Sequence, residues 1–258
     1  MQSEKQYIDL YTEAQQLIKE HAAPVLNEVR DKAFEDFRRQ GFPTKKVERY
    51  KYTDMQKLFE PDYGLNLNRL EIPVNPYDTF KCDVPNLSTS LYFIVNDQFY
   101  SKSLPKAKLN DGVIVDSLNH VATERPELVA KYYGRLANTE ADAITALNTM
   151  LAQDGLFIYV PKNVQLERTI QVINILRSDV DLMVNRRVLI VLEEGAKAQF
   201  LFCDHAADDR NFLATQVIEA YVGANANLEL NCLEETHAKN VRVSNVYIEQ
   251  QRDSRASH

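Results

Sequence analysis

Cysteine and histidine gather in the second half of this 258-residue chain, as Cys203-Asp204-His205 and as Cys232-Leu-Glu234-Glu235-Thr-His237. Thiolate, imidazole and carboxylate are the ligand types that suit iron or zinc. Neither group has the C-x-x-C spacing that brings two thiolates onto one metal. Three cysteines at wide spacing (Cys82, Cys203 and Cys232) read as reduced thiols and not as a disulfide frame. The plainer expectation is that Cys203 and Cys232 are small buried hydrophobes and that His205 and His237 lie in turns or on the surface. The acid pair Glu193-Glu194 and the turn Ala207-Asp208-Asp209 do not have the spacing of a catalytic carboxylate pair. The chain contains no G-x-x-x-x-G-K-[ST], G-x-G-x-x-G, G-x-S-x-G, H-E-x-x-H or EF-hand loop. The sequence therefore assigns no catalytic, cofactor-binding or metal-binding residue, and an ATPase or dehydrogenase is disfavoured.

The elements that must position these residues show a slipping repeat. Val191–Phe202 lies over Glu219–Leu230 at an offset of 28, matching Gly195 to Gly223, and Pro161–Leu166 lies over Gly195–Phe200 at an offset of 34. Self-similarity at a period of roughly 20–50 residues marks a stacked architecture. Each unit reads as strand, tight turn, strand, so a β-helix is expected. The first offset sets Cys203 over Asn231. With strict alternation the two cysteines then face opposite sides of the pleat and cannot share a metal.

Upstream the pattern is helical. Ser3 and Gln6 can form a capping box, with Tyr7, Ile8, Tyr11, Ala14, Leu17 and Ile18 on one face. Pro24 suits the first turn of a second helix carrying Val25, Leu26, Val29, Ala33, Phe34 and Phe37, which Gly41 stops. Thr53 with Gln56 suggests a short third helix ended by Pro61. Residues 65–81 read as a long surface connection. Leu91–Val95, Asn96-Asp97 and Phe99-Tyr100 read as strand, turn, strand, and Val113–Val115 as a further strand. A helix is predicted from Pro126 to Tyr133, ended by Gly134, and another from Thr139 and Asp142 to Gly155. The expected fold is mainly β: a mixed, mostly helical region over 1–138, then a β-helix core over 139–258. No capping helix follows the strand at 241–248, so a partner is expected to cover the last edge, or the chain is part of a longer protein and self-associates through that edge.

A composition with 26% charged and 45% hydrophobic residues suits an ordinary folded protein. The net charge of −7 gives nucleic-acid binding no electrostatic support. No apolar run approaches the roughly 20 residues that span a bilayer, so no membrane role is expected. The N-terminus lacks a signal-peptide pattern, and cytoplasm is the expected address. The segment Gly41–Asp54 interleaves Lys and Arg with Tyr50 and Tyr52; those tyrosines are expected to anchor the helical region while the cations stay solvated. A carbohydrate-binding or carbohydrate-cleaving solenoid and a purely structural interaction module are the alternative functions.

Pro43-Thr…Glu48-Arg-Tyr-Lys-Tyr-Thr-Asp54 resembles a P-[ST]-x-x-x-E-x-W-K-Y-T-[DN] motif of the SufB/SufD family, in its SufD branch, with Tyr50 where Trp is usual. Ala146–Asn163 is similar to the A-L-N-x-A-x-x-x-D-G-x-x-[IL]-x-[VI]-P segment that enters the core of both branches. The resemblance runs along the whole chain. It implies a non-catalytic scaffold subunit of the SUF iron–sulfur cluster assembly complex, with a SufB-like subunit and a SufC-like ATPase as partners. It implies no cofactor bound by this chain itself, an iron or a transient iron–sulfur cluster belonging to the full complex. His205, His237 and His258 match no functional motif of the family. The family continues beyond the equivalent of His258, where the SufC-binding helices and most of the SufB-facing surface lie.

Overall fold

A computed structural model describes residues 2–80, 89–102, 104, 109 and 112–258. Cys82 lies outside the described residues. The helices are α1 (Gln2–Glu20), α2 (Pro24–Asn27), α3 (Arg30–Gln40), α4 (Met55–Leu58) and α5 (Pro76–Thr79). Strands β1 (Thr89–Val95), β2 (Gln98–Phe99) and β3 (Ile114–Ser117) precede α6 (Leu118–Glu124), α7 (Pro126–Ala130) and α8 (Ala143–Leu151). Eight strands follow: β4 (Leu156–Val160), β5 (Thr169–Leu176), β6 (Leu182–Leu192), β7 (Lys197–Ala206), β8 (Phe212–Val222), β9 (Asn227–Glu235), β10 (Asn240–Gln250) and β11 (Arg255–Ser257).

From β4 onward, successive strands alternate between two sheets, ordered β10-β8-β6-β4-β3 and β11-β9-β7-β5-β1-β2, whose pairings are parallel except for β3 on β4 and β2 on β1. This is a β-solenoid of about three turns with a helical region at its N-terminal side. The strands at 89–95 and 114–117, which precede residue 139, are built into the same two sheets.

The observed register corrects the offsets read from the sequence. Leu156 pairs with Val188, Leu182 with Phe212 and Phe212 with Asn240, so successive steps are 32, 30 and 28 residues. The segment at 191–202 therefore sits on its neighbour at 30, not 28, and the one at 161–166 at 32, not 34. Residues in the left-handed region show the true equivalence at one corner: Asn163 (φ 61°), Gly195 (φ 70°), Asn225 (φ 58°) and Asp253 (φ 58°). Gly195 thus corresponds to Asn225, and a Cβ on it would meet Asn163 Oδ1 at 2.4 Å. Both sequence offsets miss by two residues, and a two-residue slip leaves every side chain on its original face.

Alternation then decides what each strand buries. Val188, Ile190, Phe200, Phe202, Ile218 and Leu228 point into the lumen between the sheets. Met183 and Leu213 point outward onto α1, α3 and α8, and Phe157 and Leu189 onto the layer of α2, α6 and α7. The predicted stripes of α1 and α3 supply that layer, with Tyr7, Tyr11, Ile18, Ala33 and Phe37 buried.

Several caps differ in detail from expectation. Ser3 lies inside α1 and forms no cap there. Asp54, not Thr53, caps α4 by accepting Lys57 N–H. Asp142 alone caps α8, accepting Thr145 N–H, while Thr139 Oγ1 donates to Asp36. The expected second helix breaks between Asn27 and Arg30, and the helix begun at Pro126 ends at Ala130, short of Tyr133.

One buried ion pair fastens the helical layer to the sheet. Arg187 and Glu219 are both fully buried, with Nη2 to Oε2 at 2.6 Å. Glu219 also accepts the N–H groups of Gly134, Leu136 and Ala137. Arg187 donates to Thr149 Oγ1 and lies 4.8 Å over the Tyr133 ring. Removing one member strands a buried charge, a cost of about 3–5 kcal/mol. Glu219→Gln is expected to lower unfolding free energy by about 3 kcal/mol in urea titration; a loss below about 1 kcal/mol would contradict this role for the pair.

Candidate functional site

The lumen is apolar along most of its length, but one row of inward positions is polar. In register across one sheet lie Asn174, Asp204 and Glu234. Opposite them lie Arg186, Gln216 and Ser244. This row separates the large lumenal cluster from a smaller one of Leu176, Leu182, Val184, Phe212 and Ala214. Arg186 bonds Asp204 across the lumen and donates Nε–H to the Asn96 carbonyl at 3.0 Å. Arg242, two coils further on, reaches Asp204 Oδ2 at 2.7 Å and also pairs with Glu234. Two guanidinium groups and two carboxylates thus bridge the sheets where the last coil ends.

Cys232 belongs to the same lumenal face. It pairs in register with buried Phe202, whereas Cys203 pairs with Leu233. Cys203 is 1% exposed on the outer face of its sheet beside Phe93, Ile173 and Ile175. The expected division of the two cysteines onto opposite faces is what the strands impose, and Cys203 is buried as expected. Cys232 is not: it is exposed, with Sγ 3.7 Å from His258 Nε2. The reason is position in the stack, since β11 pairs with β9 only over Asn227–Glu229. Partial burial of the thiol raises its pKa, and Arg242 acts in the opposite direction. The expectation of a buried Cys232 rests on residue type, free cysteine being among the most buried side chains, and residue type carries no information on place in the stack. Asp204 stands out in the sequence only as the neighbour of Cys203 and His205, and Arg186 and Arg242 give no signal as single residues; their alignment emerges only from the true register.

The other sequence candidates have structural partners. His205 Nδ1 lies 3.6 Å from Glu235, with its ring edge-on to Phe80. His237 Nε2 lies 3.0 Å from the Asp208 carbonyl. Glu193 accepts the hydroxyls of Tyr132 and Tyr159, and Glu194 pairs with Lys162. Asp208 bonds Arg177 and Asp209 bonds Lys239. Among the described residues, no group of three or more His, Cys, Asp or Glu side chains has an arrangement that could hold a metal ion.

The two motif segments are structural pegs. Tyr50 is buried and donates to Asp142 at 2.7 Å, and Arg49 pairs with the same carboxylate at 3.1 Å. Asn245 of β10 donates to the other Asp142 oxygen at 2.9 Å, so this cap joins the helical layer to the last coil. Tyr52, expected to anchor alongside Tyr50, is instead 90% exposed, with Lys51 over its ring. In the second segment, the Asp154 carboxylate receives Phe99 N–H, Asn119 N–H and Ser117 Oγ–H. Burial raises its pKa, against the opposing pull of Arg69. A Cβ at Gly155 would lie 1.9 Å from the Arg187 carbonyl oxygen, so only glycine fits where that strand starts.

The comparisons with known proteins follow this architecture. The family description "SufBD protein N-terminal region" matches residues 1–172, and "SUF system FeS cluster assembly, SufBD core domain" matches residues 174–258. The chain is similar to the chloroplastic iron–sulfur cluster assembly SufBD family protein ABCI8 of Arabidopsis thaliana, 32% identical over 143 residues, which is 54% of this chain and 24% of the plant protein. To ABCI9 of the same plant it is 27% identical over 171 residues, 66% of this chain and 35% of that protein. To the iron–sulfur cluster assembly protein SufD of Bacillus subtilis it is 31% identical over 120 residues, 46% and 27% of the two chains. The chain spans about a quarter to a third of the length of these curated relatives.

Alkylation followed peptide by peptide by mass spectrometry tests the thiol environments. Cys203 is expected to stay unmodified in the folded protein, while Cys232 reacts at a rate still rising through pH 9, because its thiolate forms late. A Cys232 rate already flat above pH 8 would contradict the raised pKa.

Proposed function

The chain belongs to the SufBD family, and from that premise we propose that it is a non-catalytic scaffold subunit in iron–sulfur cluster assembly. The carrying observation is that both family regions match end to end, over 1–172 and 174–258, on a fold of solenoid and helical layer. In this reading its partners are a SufB-like subunit and a SufC-like ATPase, and hydrolysis belongs to the latter. The family match leaves a carbohydrate-binding or carbohydrate-cleaving solenoid unfavoured. No helix among the described residues is long and apolar enough to cross a membrane. The cysteine pattern supports a cytoplasmic address.

The cluster is cargo in this proposal. Its four protein ligands come from elsewhere in the assembly, and this chain's part is to present a rigid wall.

Tagging the protein in its native host and purifying it anaerobically tests the proposal. An ABC-type ATPase and a second SufBD-family protein are expected to co-purify; recovery of a lone, stable monomer would sink the reading. The 258-residue chain by itself is expected to self-associate through the β10 edge, raising its weight-average mass with concentration in light scattering. A constant monomer mass across that series would rule this out.

A further inference from the structure

Beside the polar row lies a small pocket of about 30 Å³ between Arg186, Asp204, Glu234, Thr236, Asn240 and Arg242, of which Glu234 and Thr236 are exposed. We propose that this pocket is a built water site at the polar row of the lumen. Its size suits one or two water molecules, each needing two to four polar partners.

Unused hydrogen-bonding groups at the cavity identify the ligand. Arg186 Nη2 is buried with no partner, as are both amide atoms of Asn240. Arg186 as a whole is 2% exposed. One rung away, Gln216 Oε1 and both amide atoms of Asn174 are in the same condition. Donors and acceptors thus occur together: guanidinium and amide N–H groups beside amide oxygens. An anion could serve only the donors and a cation only the acceptors, whereas water serves both. Charge points the same way. The cavity is walled by two guanidiniums and two carboxylates already paired with one another, so neither sign of ion meets a net attraction. A buried polar group without a partner costs about 1–3 kcal/mol, which favours water over an empty space.

A crystal structure at a resolution that shows ordered water, together with a bromide soak read by anomalous scattering, tests the site. The expected result is a water peak within hydrogen-bonding distance of Arg186 Nη2 and the Asn240 amide, with no bromide peak there. In Asn240→Leu that peak should be lost while the Arg186–Asp204 pair stays in place. If the variant does not fold, water-to-protein NOEs from the Asn240 side-chain amide of the unmodified protein carry the same decision. An empty cavity, a direct Arg186–Asn240 hydrogen bond, a bromide peak, or absent NOEs would each overturn the proposal.

Discussion

The helical layer is held to the solenoid by the Arg187–Glu219 pair, and the rest of the arrangement depends on this contact. Two ions taken out of water are costly, and their attraction repays that only when every remaining donor and acceptor is used. Glu219 meets the condition by accepting three backbone N–H groups of residues 134–137 besides the guanidinium, and Arg187 meets it at Nη1 and Nη2 but not at its buried Nε. Those N–H groups belong to the segment leading from α7 toward α8, so the pair fixes where α8 begins. The same contact region places Arg30, fully buried, against the Thr149 and Met150 carbonyls at the end of α8. That end carries the negative pole of the helix, which partly compensates a guanidinium with no carboxylate of its own. Burial still lowers the Arg30 pKa.

From this anchorage the motif segments acquire physical meaning. Gly155 sits where the chain passes the Arg187 carbonyl too closely for a side chain, and Asp154 gathers the backbone of β2 and of the start of α6. Arg49 and Tyr50 converge on Asp142, which also caps α8 and holds Asn245. Each segment therefore ties a piece of the helical layer to a particular coil. Neither lines the polar row of the lumen, where the chemistry-bearing side chains meet.

Much of this was legible in the sequence because alternation and helical periodicity are local. The stripe of α1, the hairpin around Asn96-Asp97, the Pro24 and Gly41 signals and the strands after Gly155 all follow from neighbours a few residues apart. What escaped depends on distant partners. The inward polar row needs the register, and residue matching at Gly195 and Gly223 put that register two positions out. Helix α6 was missed because its seven residues are too short to show a period. Cys232 differs because residue type says nothing of its place in the stack, and Tyr52 because an aromatic beside Lys51 is equally suited to solvent.

The steps between coils, 32, 30 and then 28 residues, change length at the corners while the strands stay in register. Every change is even. An odd one carried into β6 would turn Arg186 outward and bring Arg187 into the lumen. Even steps thus keep one face of every strand lumenal and the other outward from coil to coil.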